Sequence, residues 1–548
     1  LLMEKKASRF NRLETWLERF KALQSKHFVL LFIVISVAYI WSSEWFVTTD
    51  GPSHAYNSML LGEYLFGEWK PYQDWLKVFW FPFPNWTGHI ALSMLLQVFS
   101  IAVSEKILYS VYVITYFLGL HRLAKSAGLN PWLLIALFSL FVFPQTFTTG
   151  FFNYQLGYAI LPWLLSAFLQ LKSGYSLNRW FGLLLLSMLS YFTHPIPFLL
   201  FLMVAGLLVL FQNQWWSSWD QLKRTVVLFA PLIPSLAMMG YFLHVTVDGA
   251  TNSPVQATTL IADFLALTSL MNYNLDREMV VTVSVSIMLG VFLIMALFRF
   301  QKALKTKLQW TFLLGFVITT LFYFFQPGSF SSAGILTFRI QFIPHLFLIL
   351  FCVSIAWSKW IQMAMSAAFL VLFALVLIIR LPHKIQASNA MTEMMSVCDK
   401  MEKHKVSVGL DCFHNGLYEG KLIAKSNWIF THCADYVNTE MEQLSLVNYE
   451  SGQFHFPIKW TTDFNAYESM SCNEGLEHIP PCLRIDQAEE MLGLEVDYVF
   501  FVFPNQDQLH NHVNYKTSIE NLGANFELVY TSETGIVELF QRIDLNQR

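Results

Sequence analysis

The stretch that decides the fold is FVLLFIVISVAYIWSSEWFVTTDGPSH, residues 28–54. It begins with a run of about 20 mostly apolar residues, the length that a helix needs to cross a hydrocarbon core roughly 30 Å thick. Asp50 follows this run, and Gly51 and Pro52 come directly after it. Because proline fixes its own backbone angle and is favoured in the first turn of a helix, the pattern predicts a sharp turn and a second helix over residues 53–67. The first membrane helix is therefore expected to hold a carboxylate rigidly at the membrane surface.

The composition of the chain is that of a membrane protein. Its 548 residues are 55% hydrophobic and only 13% charged, which is unusual for a soluble domain. A net charge of -3 without a basic stripe argues against a nucleic-acid partner. We predict eleven membrane-spanning helices, at residues 28–47, 105–121, 131–148, 154–171, 180–194, 195–212, 225–245, 279–298, 308–325, 338–357 and 361–380.

The topology depends on residues 88–103, which are apolar but short and interrupted by polar residues. If this segment lies on the surface, eighteen Lys and Arg residues face the cytoplasm and six lie outside; if it crosses, the bias inverts. Lys and Arg are enriched in the cytoplasmic loops of membrane proteins. We therefore expect residues 88–103, like residues 53–67, to form a helix along the membrane surface, with the N-terminus in the cytoplasm and the C-terminus outside.

The chain divides into three predicted parts. Residues 1–26 form a basic cytoplasmic arm, and no small-residue cleavage pattern follows it, so the first apolar run is interpreted as an uncleaved anchor. Residues 27–384 form the membrane domain, whose first outer loop is 48–104. Residues 385–548, which are rich in polar and charged side chains, form an extracytoplasmic domain.

The last domain mixes strand-like runs with helical stretches. The runs Val496–Phe503, Phe526–Tyr530 and Ile536–Phe540 resemble strands, and Ala387–Lys403 and Gln487–Leu492 resemble helices. The predicted fold class is therefore a polytopic α-helical membrane protein with a C-terminal α/β or α+β domain. This domain is expected to cover the active site or to hold the acceptor.

Five of the six cysteines lie in the C-terminal domain. An odd number leaves at least one thiol unpaired, and Cys472–Cys482 is the favoured pair if the compartment is oxidising. The histidines of the domain lack tight ligand spacing, so their pattern does not indicate a metal site.

Three ionisable residues stand out on the outer side. Asp50 is the candidate catalytic carboxylate, with an N-cap for the following helix as the alternative. His194 lies where two prolines break a helix at membrane depth, which requires protein or water around the freed backbone groups; a polar helix end is the alternative. Arg339 lies at the outer entry to a span and would bind an anion such as a lipid phosphate, with snorkelling to the interface as the alternative.

The string TTGFFNYQLG, residues 148–157, adds weaker candidates. Asn153, Tyr154 and Gln155 carry amide and hydroxyl groups of the kind that bind sugar hydroxyls, with aromatic rings beside them. Aromatic residues are common at membrane interfaces whatever the function, so this pattern alone does not separate substrate binding from membrane anchoring.

The arrangement resembles the GT-C superfamily of integral membrane glycosyltransferases, which includes the protein O-mannosyltransferases and the aminoarabinose transferase of lipid A. The resemblance consists of Asp50 directly after the first span, two surface helices, a body of many spans and an outer C-terminal domain. It covers the layout of the whole chain but few residues, and the acidic pair often seen at the catalytic position is Asp50-Gly51 here.

The resemblance implies transfer of a sugar from a polyprenyl phosphate or diphosphate lipid to a glycan, lipid or protein acceptor, in a membrane such as the bacterial inner membrane. Asp50 would remove the proton of the acceptor hydroxyl, while Arg339 and His194 stabilise the departing phosphate. Asp50 and His54 would be the ligands if a divalent cation, Mg²⁺ or Mn²⁺, takes part. The expected substrate-binding residues are His54, Asn153, Tyr154 and Gln155.

Two other classes of function remain open at this point. A transporter or flippase for a lipid-linked saccharide would also gather charges in a central cavity, but it would be expected to show inverted repeats, and no convincing repeat is visible. The third hypothesis is that the chain is a membrane assembly subunit without catalytic activity. The sequence has no Walker loop or dinucleotide fingerprint, so a nucleotide-linked donor has no visible site.

Overall fold

The computed structural model describes residues 26–212, 218–246, 256–302, 306–326, 336–453, 455–472, 475–476, 479–504 and 512–543. These residues form a helical body followed by a smaller domain built on a mixed sheet. The predicted basic arm, 1–26, lies almost entirely outside the described residues.

The loop predicted to be the first outer loop, 48–104, begins earlier in the structure. Helix α1 (Lys26–Ile40) ends at Ile40, and an extended segment leads from there to helix α2 (Gly51–Phe66). Pro52 lies in the first turn of α2, as the sequence predicts. Strand β1 (Leu76–Val78) and helix α3 (Trp86–Leu96) complete the loop.

The predicted surface helices differ from expectation in two ways. Residues 88–103 do not form one helix, because α3 ends at Leu96 and residues 101–103 belong to α4 (Ile101–Ala127). Helix α2 is buried all round from Gly51 to Gly62, including its polar residues, so it lacks the solvent-exposed face of a surface-lying helix.

The helical body contains thirteen further α-helices in the described part of the chain. After α4 they are α5 (Pro131–Phe138), α6 (Gln145–Thr148), α7 (Phe152–Ser173), α8 (Leu177–Thr193), α9 (Pro195–Gln212), α10 (Trp219–Phe229), α11 (Ile233–Thr246), α12 (Ala257–Ala266), α13 (Leu275–Lys302), α14 (Lys307–Phe325), α15 (Leu336–Ile340), α16 (Ile343–Val353) and α17 (Lys359–Met394).

Six segments of the described chain are long and apolar enough to cross a membrane. They are Ile101–Ala127, Trp219–Val245, Leu275–Phe300, Lys307–Phe325, Leu336–Val353 and Lys359–Lys400. Large apolar side chains on the outside of the body, such as Leu185, Ile287 and Ile378, suit contact with lipid. The predicted number of eleven spans stays a prediction, and the predicted span 131–148 is interrupted between α5 and α6.

The long helix α17 carries a buried ion pair across the body. Arg380 is buried, and its Nε lies 2.7 Å from Oε2 of Glu278. Glu278 also accepts hydrogen bonds from the amides of Asn272, Tyr273 and Asn274, which precede α13. The pair therefore joins α13 to α17, and α17 runs on past residue 384 to Met394 without a break.

The C-terminal domain has the predicted mixture of strands and helices. Its elements are β2 (Val406–Asp411), β3 (Leu417–Tyr418), β4 (Lys421–Leu422), α18 (Ala434–Glu440), β5 (Leu444–Ser445), β6 (Ile458–Trp460), α19 (Ala466–Ser469), α20 (Asp486–Leu492), β7 (Tyr498–Val502), α21 (Val513–Leu522), β8 (Phe526–Thr531) and β9 (Val537–Arg542). The main sheet has the order β5-β2-β7-β9-β8, in which β2 pairs in parallel with β5 and β7 and the other pairs are antiparallel. A disulfide joins Cys472 and Cys482, as predicted.

The first outer loop and the C-terminal domain pack as one unit. Strand β1 of the loop pairs antiparallel with β6 of the domain. The two share an apolar core in which Tyr56 and Leu60 of α2 pack with residues such as Val408 and Leu444 of the sheet. The polar side of α2 is bonded to the same domain, for example through Asn57, whose Nδ2 donates to Oδ1 of Asn448 at 3.0 Å. This cover explains why α2 is buried rather than amphipathic.

Candidate active site

A cavity of about 460 Å³ lies where the first outer loop, the helical body and the C-terminal domain meet. Six of the seven residues predicted for the site line it: Asp50, His54, Asn153, Tyr154, His194 and Arg339. The C-terminal domain contributes residues that the sequence patterns did not single out, among them Trp428, His432, Tyr449, Gln453 and His455. Several separate segments of the helical body and the C-terminal domain thus line one cavity.

The backbone of Asp50 is held by a second loop. The amide of Thr49 donates to the carbonyl of Thr148 at 3.1 Å, and the amide of Asp50 donates to that of Thr149 at 2.9 Å. Gly150 has a φ of +86°, and a Cβ there would lie 2.6 Å from the amide nitrogen of Gly51. Only glycine fits so close an approach with that backbone angle, so the two loops fix the position of Asp50 together.

The carboxylate of Asp50 is not used as a helix cap. Asp50 occupies the N-cap position of α2, but within the described structure its side chain makes no capping hydrogen bond. Its Oδ1 lies 3.8 Å from Nε2 of His432, and the side chain is 17% exposed. Burial raises the pKa of Asp50 to about 6, against the opposing effect of nearby His54. The alternative of a simple N-cap therefore does not account for this carboxylate.

The histidine beside Asp50 is neutral. Burial lowers the pKa of His432 to about 3, and its ring stacks on Tyr449 with ring centres 4.4 Å apart. Burial likewise lowers the pKa of His455, which lines the same cavity, to about 4. At neutral pH these two rings offer hydrogen bonds rather than charge.

Arg339 supplies the positive charge of the cavity. Its guanidinium lies over the ring of Phe151, 4.3 Å from the ring centre. Its Nε is buried and has no hydrogen-bond partner among the described residues. The hydroxyl of Tyr154 donates to the backbone carbonyl of Arg339 and so anchors its helix, α15. The guanidinium is held in place without being neutralised by a carboxylate in the described structure.

His194 lies at the predicted helix break, between α8 and α9. Its Nδ1 accepts a hydrogen bond of 3.2 Å from the amide of Ile196, so the neutral ring carries its proton on Nε2. The ring stands edge-on to that of Tyr154, with centres 4.9 Å apart. His194 therefore brings an N–H donor to the cavity wall.

The predicted sugar-binding string is mostly occupied with structural contacts. Oδ1 of Asn153 accepts from the amide of Gly88 at 2.6 Å, and its Nδ2 donates to the carbonyl of Asn85 at 3.0 Å. Gln155 does not line the cavity, and its amide contacts Tyr112 and Thr146 inside the helical body. The structure does not bring Gln155 to the cavity with the other predicted residues, because on α7 its side chain lies in the packed core.

The side chain of His54 contacts a glutamate instead of Asp50. Its Nδ1 pairs with Oε1 of Glu450, while Nε2 of His89 lies 3.1 Å from Oε2 of the same carboxylate. Burial would raise the pKa of Glu450, but the two histidines lower it to about 2. Asp50 is not part of this group, so the structure does not support the predicted cation site between Asp50 and His54.

A second cavity of about 360 Å³ lies in the C-terminal domain beside the first. Thr431, His432, Tyr449 and Gln453 line both cavities, so these residues form the wall between them. Asp411 and Asp435 also line the second cavity.

One of these carboxylates is linked to the helix that follows Asp50. Oδ2 of Asp435 accepts a hydrogen bond of 2.5 Å from the hydroxyl of Ser53. Burial raises the pKa of Asp435 to about 7. The second cavity thus shares a wall with the first, and its residue Asp435 is hydrogen-bonded to α2, the helix that follows Asp50.

The comparisons with known proteins give little beyond this geometry. No protein-family model matches the chain, and no curated protein matches it. Among solved structures, the arabinofuranosyltransferase AftD from mycobacteria, determined by single-particle cryo-electron microscopy, is similar with a TM-score of 0.46 and 11% sequence identity. The match covers 95% of this chain and 40% of AftD, so the chain spans less than half the length of that enzyme. A likeness at this level carries no argument about activity, and function has to be inferred from the site.

Proposed function

We propose that this chain is a membrane glycosyltransferase that moves a sugar from a polyprenyl phosphate or diphosphate lipid to an acceptor hydroxyl on the extracytoplasmic face. The observation that carries the proposal is that Asp50, His194 and Arg339 line one cavity. A carboxylate base, a fixed cation and an N–H donor are the groups that transfer from a phosphate leaving group requires.

The donor phosphate is assigned to the wall formed by Arg339 and His194. Both residues lie at ends of apolar helices, α15 and α8, where a lipid carrier can enter from the bilayer. The guanidinium of Arg339 can bind two phosphate oxygens at once, and its contact with Phe151 leaves its charge available. The N–H of His194 adds a neutral donor to the same anion.

Asp50 is assigned as the general base. Its oxygen takes the proton of the acceptor hydroxyl while that oxygen attacks the anomeric carbon of the donor sugar. The bond between the anomeric carbon and the phosphate oxygen breaks, and the phosphate leaves with the electron pair. A pKa of about 6 keeps most Asp50 side chains ionised at neutral pH, yet close enough to working pH to be an effective base.

The acceptor is assigned to the second cavity. Its wall shares His432 and Tyr449 with the first cavity, so an acceptor there would present a hydroxyl towards Asp50. Asp411 and Asp435 also line this cavity, where Asp411 pairs with His414 and Asp435 accepts a hydrogen bond from Ser53. This polar lining suits a sugar-containing acceptor.

The outer location of the site is supported by the Cys472–Cys482 disulfide, since disulfides persist in oxidising compartments. A sugar that is delivered on a lipid from the bilayer needs no nucleotide site in the chain, in keeping with the absence of nucleotide-binding motifs from the sequence.

The test is the Asp50→Asn variant, reconstituted in liposomes with a panel of polyprenyl-phosphate sugars and glycan acceptors. Loss of the base should lower the transfer rate about 10²- to 10⁴-fold, while the melting temperature and donor-lipid binding remain. Asp276→Asn is the matched control, because Asp276 is an exposed carboxylate in the first turn of α13. Full transfer by Asp50→Asn would overturn the proposal.

The same assay separates the other classes of function. A flippase would move the lipid-linked sugar across the liposome membrane without changing its chemical form, and an assembly subunit would do neither. Either result in the wild-type protein, with every donor of the panel, would replace the glycosyltransferase assignment.

A further inference from the structure

Three side chains beside the catalytic cavity form a cluster that the transfer mechanism does not use. His54 comes from α2, His89 from α3, and Glu450 from the segment that follows β5. We call them the His-Glu-His cluster. They are 6%, 1% and 0% exposed, respectively, and their ligand atoms all lie within 4.8 Å of one another. Among the described residues, no other group of three His, Cys, Asp or Glu side chains brings its ligand atoms this close together.

The hydrogen bonding of His89 decides which of its nitrogens faces the carboxylate as an acceptor. Its Nδ1 lies 2.8 Å from the carbonyl oxygen of Asn85. A carbonyl can only accept, so Nδ1 carries a proton. In the neutral ring, Nε2 then presents a lone pair to Oε2 of Glu450, 3.1 Å away. Nε2 of His89 and Oε2 of Glu450 would then be two hydrogen-bond acceptors facing each other, and such a pair repels unless a positive charge lies between them.

The same question arises on the other oxygen of the carboxylate. Oε1 of Glu450 contacts Nδ1 of His54, and both atoms are buried without a hydrogen bond of acceptable geometry in the described structure. Two imidazole rings thus converge on one carboxylate at a site closed to solvent. Either two protons or one metal cation can satisfy it.

We propose that the His-Glu-His cluster binds a divalent transition metal of the zinc type. Two imidazole nitrogens and one carboxylate oxygen are a typical ligand set for Zn²⁺, whereas Mg²⁺ prefers a shell of oxygen atoms. The bond from His89 to the carbonyl of Asn85 is the kind of outer contact that orients a metal-binding histidine. Separations of up to 4.8 Å allow the three ligand atoms to close on one ion with small side-chain movements.

The metal would tie together three segments that are far apart in the sequence. His54 is one helical turn after Asp50 on α2, so an ion at the cluster would hold the first turn of that helix against α3 and the C-terminal domain. We assign the ion a positioning role for Asp50, and this role does not alter the ligands of the donor phosphate.

The metal content of the full chain tests the proposal directly. The protein is purified in detergent with a tag that contains no histidines, equilibrated with Zn²⁺, desalted and measured by plasma mass spectrometry. We expect about one zinc per chain in the wild type, and at least a roughly tenfold lower content in Glu450→Gln and in His89→Ala. His404→Ala is the matched control, because His404 is an exposed histidine of the C-terminal domain, and it should keep the full content.

Two results would overturn the proposal. If the wild type held no zinc after equilibration, the cluster would be an ion pair with protonated histidines. If the cluster variants held as much zinc as the wild type, the metal would lie elsewhere. A second measurement on the wild type does not depend on the folding of a variant. Zn²⁺ should raise the melting temperature of the wild type, and Mg²⁺ should not. None of these readouts needs transfer activity, so the metal site can fail or succeed independently of the proposed reaction.

Discussion

Two carboxylates at the beginnings of helices, Glu278 buried and Asp50 partly buried, show how differently this chain uses the same group. Glu278, in the first turn of α13, accepts hydrogen bonds from three backbone amides and pairs with Arg380. Asp50, at the start of α2, makes no capping bond, and its carboxylate lies in a cavity beside neutral His432. The carboxylate oxygens of Glu278 are fully used in contacts within the protein, whereas the carboxylate of Asp50 remains available to a substrate.

This contrast separates a stabilising carboxylate from a reactive one. A buried charge whose partners are all inside the protein is compensated for its loss of water and has no lone pair left for a substrate. A buried carboxylate with few partners costs folding energy and acquires a raised pKa, which is the usual state of a catalytic base. Changing each carboxylate to its amide should therefore give opposite phenotypes.

The largest effect on stability is expected from Glu278→Gln. The change leaves the guanidinium of Arg380 buried without its counter-charge, and breaking a buried pair in this way costs about 3–5 kcal/mol. Denaturant or thermal unfolding in detergent measures the loss. Asp276→Asn, two residues away but exposed, should change stability by no more than about 0.5 kcal/mol. The contrast between Glu278 and Asp50 would break if Glu278→Gln were as stable as the wild type.

A smaller effect, on catalysis alone, is expected from Arg339→Ala. Removing one group that stabilises developing charge lowers kcat about 10²- to 10³-fold. Arg339→Lys should recover part of the rate, because it restores the charge without the two-pronged geometry. The exposed Arg277, changed to Ala, serves as the control and should leave kcat unaltered.

The division between kcat and KM sharpens the assignment of Arg339. A fall in kcat means that the guanidinium acts on the departing phosphate. A rise in KM with an unchanged kcat would show that Arg339 only holds the donor lipid, and the assignment of a role in the transition state would then be wrong.

Part of the cavity wall could be predicted from the sequence because its residues lie where an apolar helix begins or ends. Asp50 follows an apolar run and precedes a Gly-Pro turn, His194 stands between prolines, and Arg339 enters an apolar helix. Local rules of chain geometry fix such positions. Strands β7, β8 and β9 of the last domain and the Cys472–Cys482 pair were predictable for the same reason, since they depend on short stretches of sequence.

The rest of the site depends on contacts between remote segments, which no local pattern records. His432, Tyr449 and Glu450 come from loops of the C-terminal domain, almost 400 residues after Asp50. Their positions follow from the packing of the domain on α2. The same packing buries the polar side of α2, and it turns His54 towards Glu450 instead of Asp50. A prediction from amphipathic pattern alone treats such a helix as lying on a membrane.

The most direct test of the account is the pH dependence of kcat/KM for sugar transfer. A base must be unprotonated to act, and burial raises the pKa of Asp50 to about 6. The account therefore predicts that kcat/KM falls about tenfold for each pH unit below about 6, and that the residual activity of Asp50→Asn shows no such fall. A wild-type rate that stays level down to about pH 4, the usual range of an aspartate, or an identical acid limb in Asp50→Asn, would contradict it.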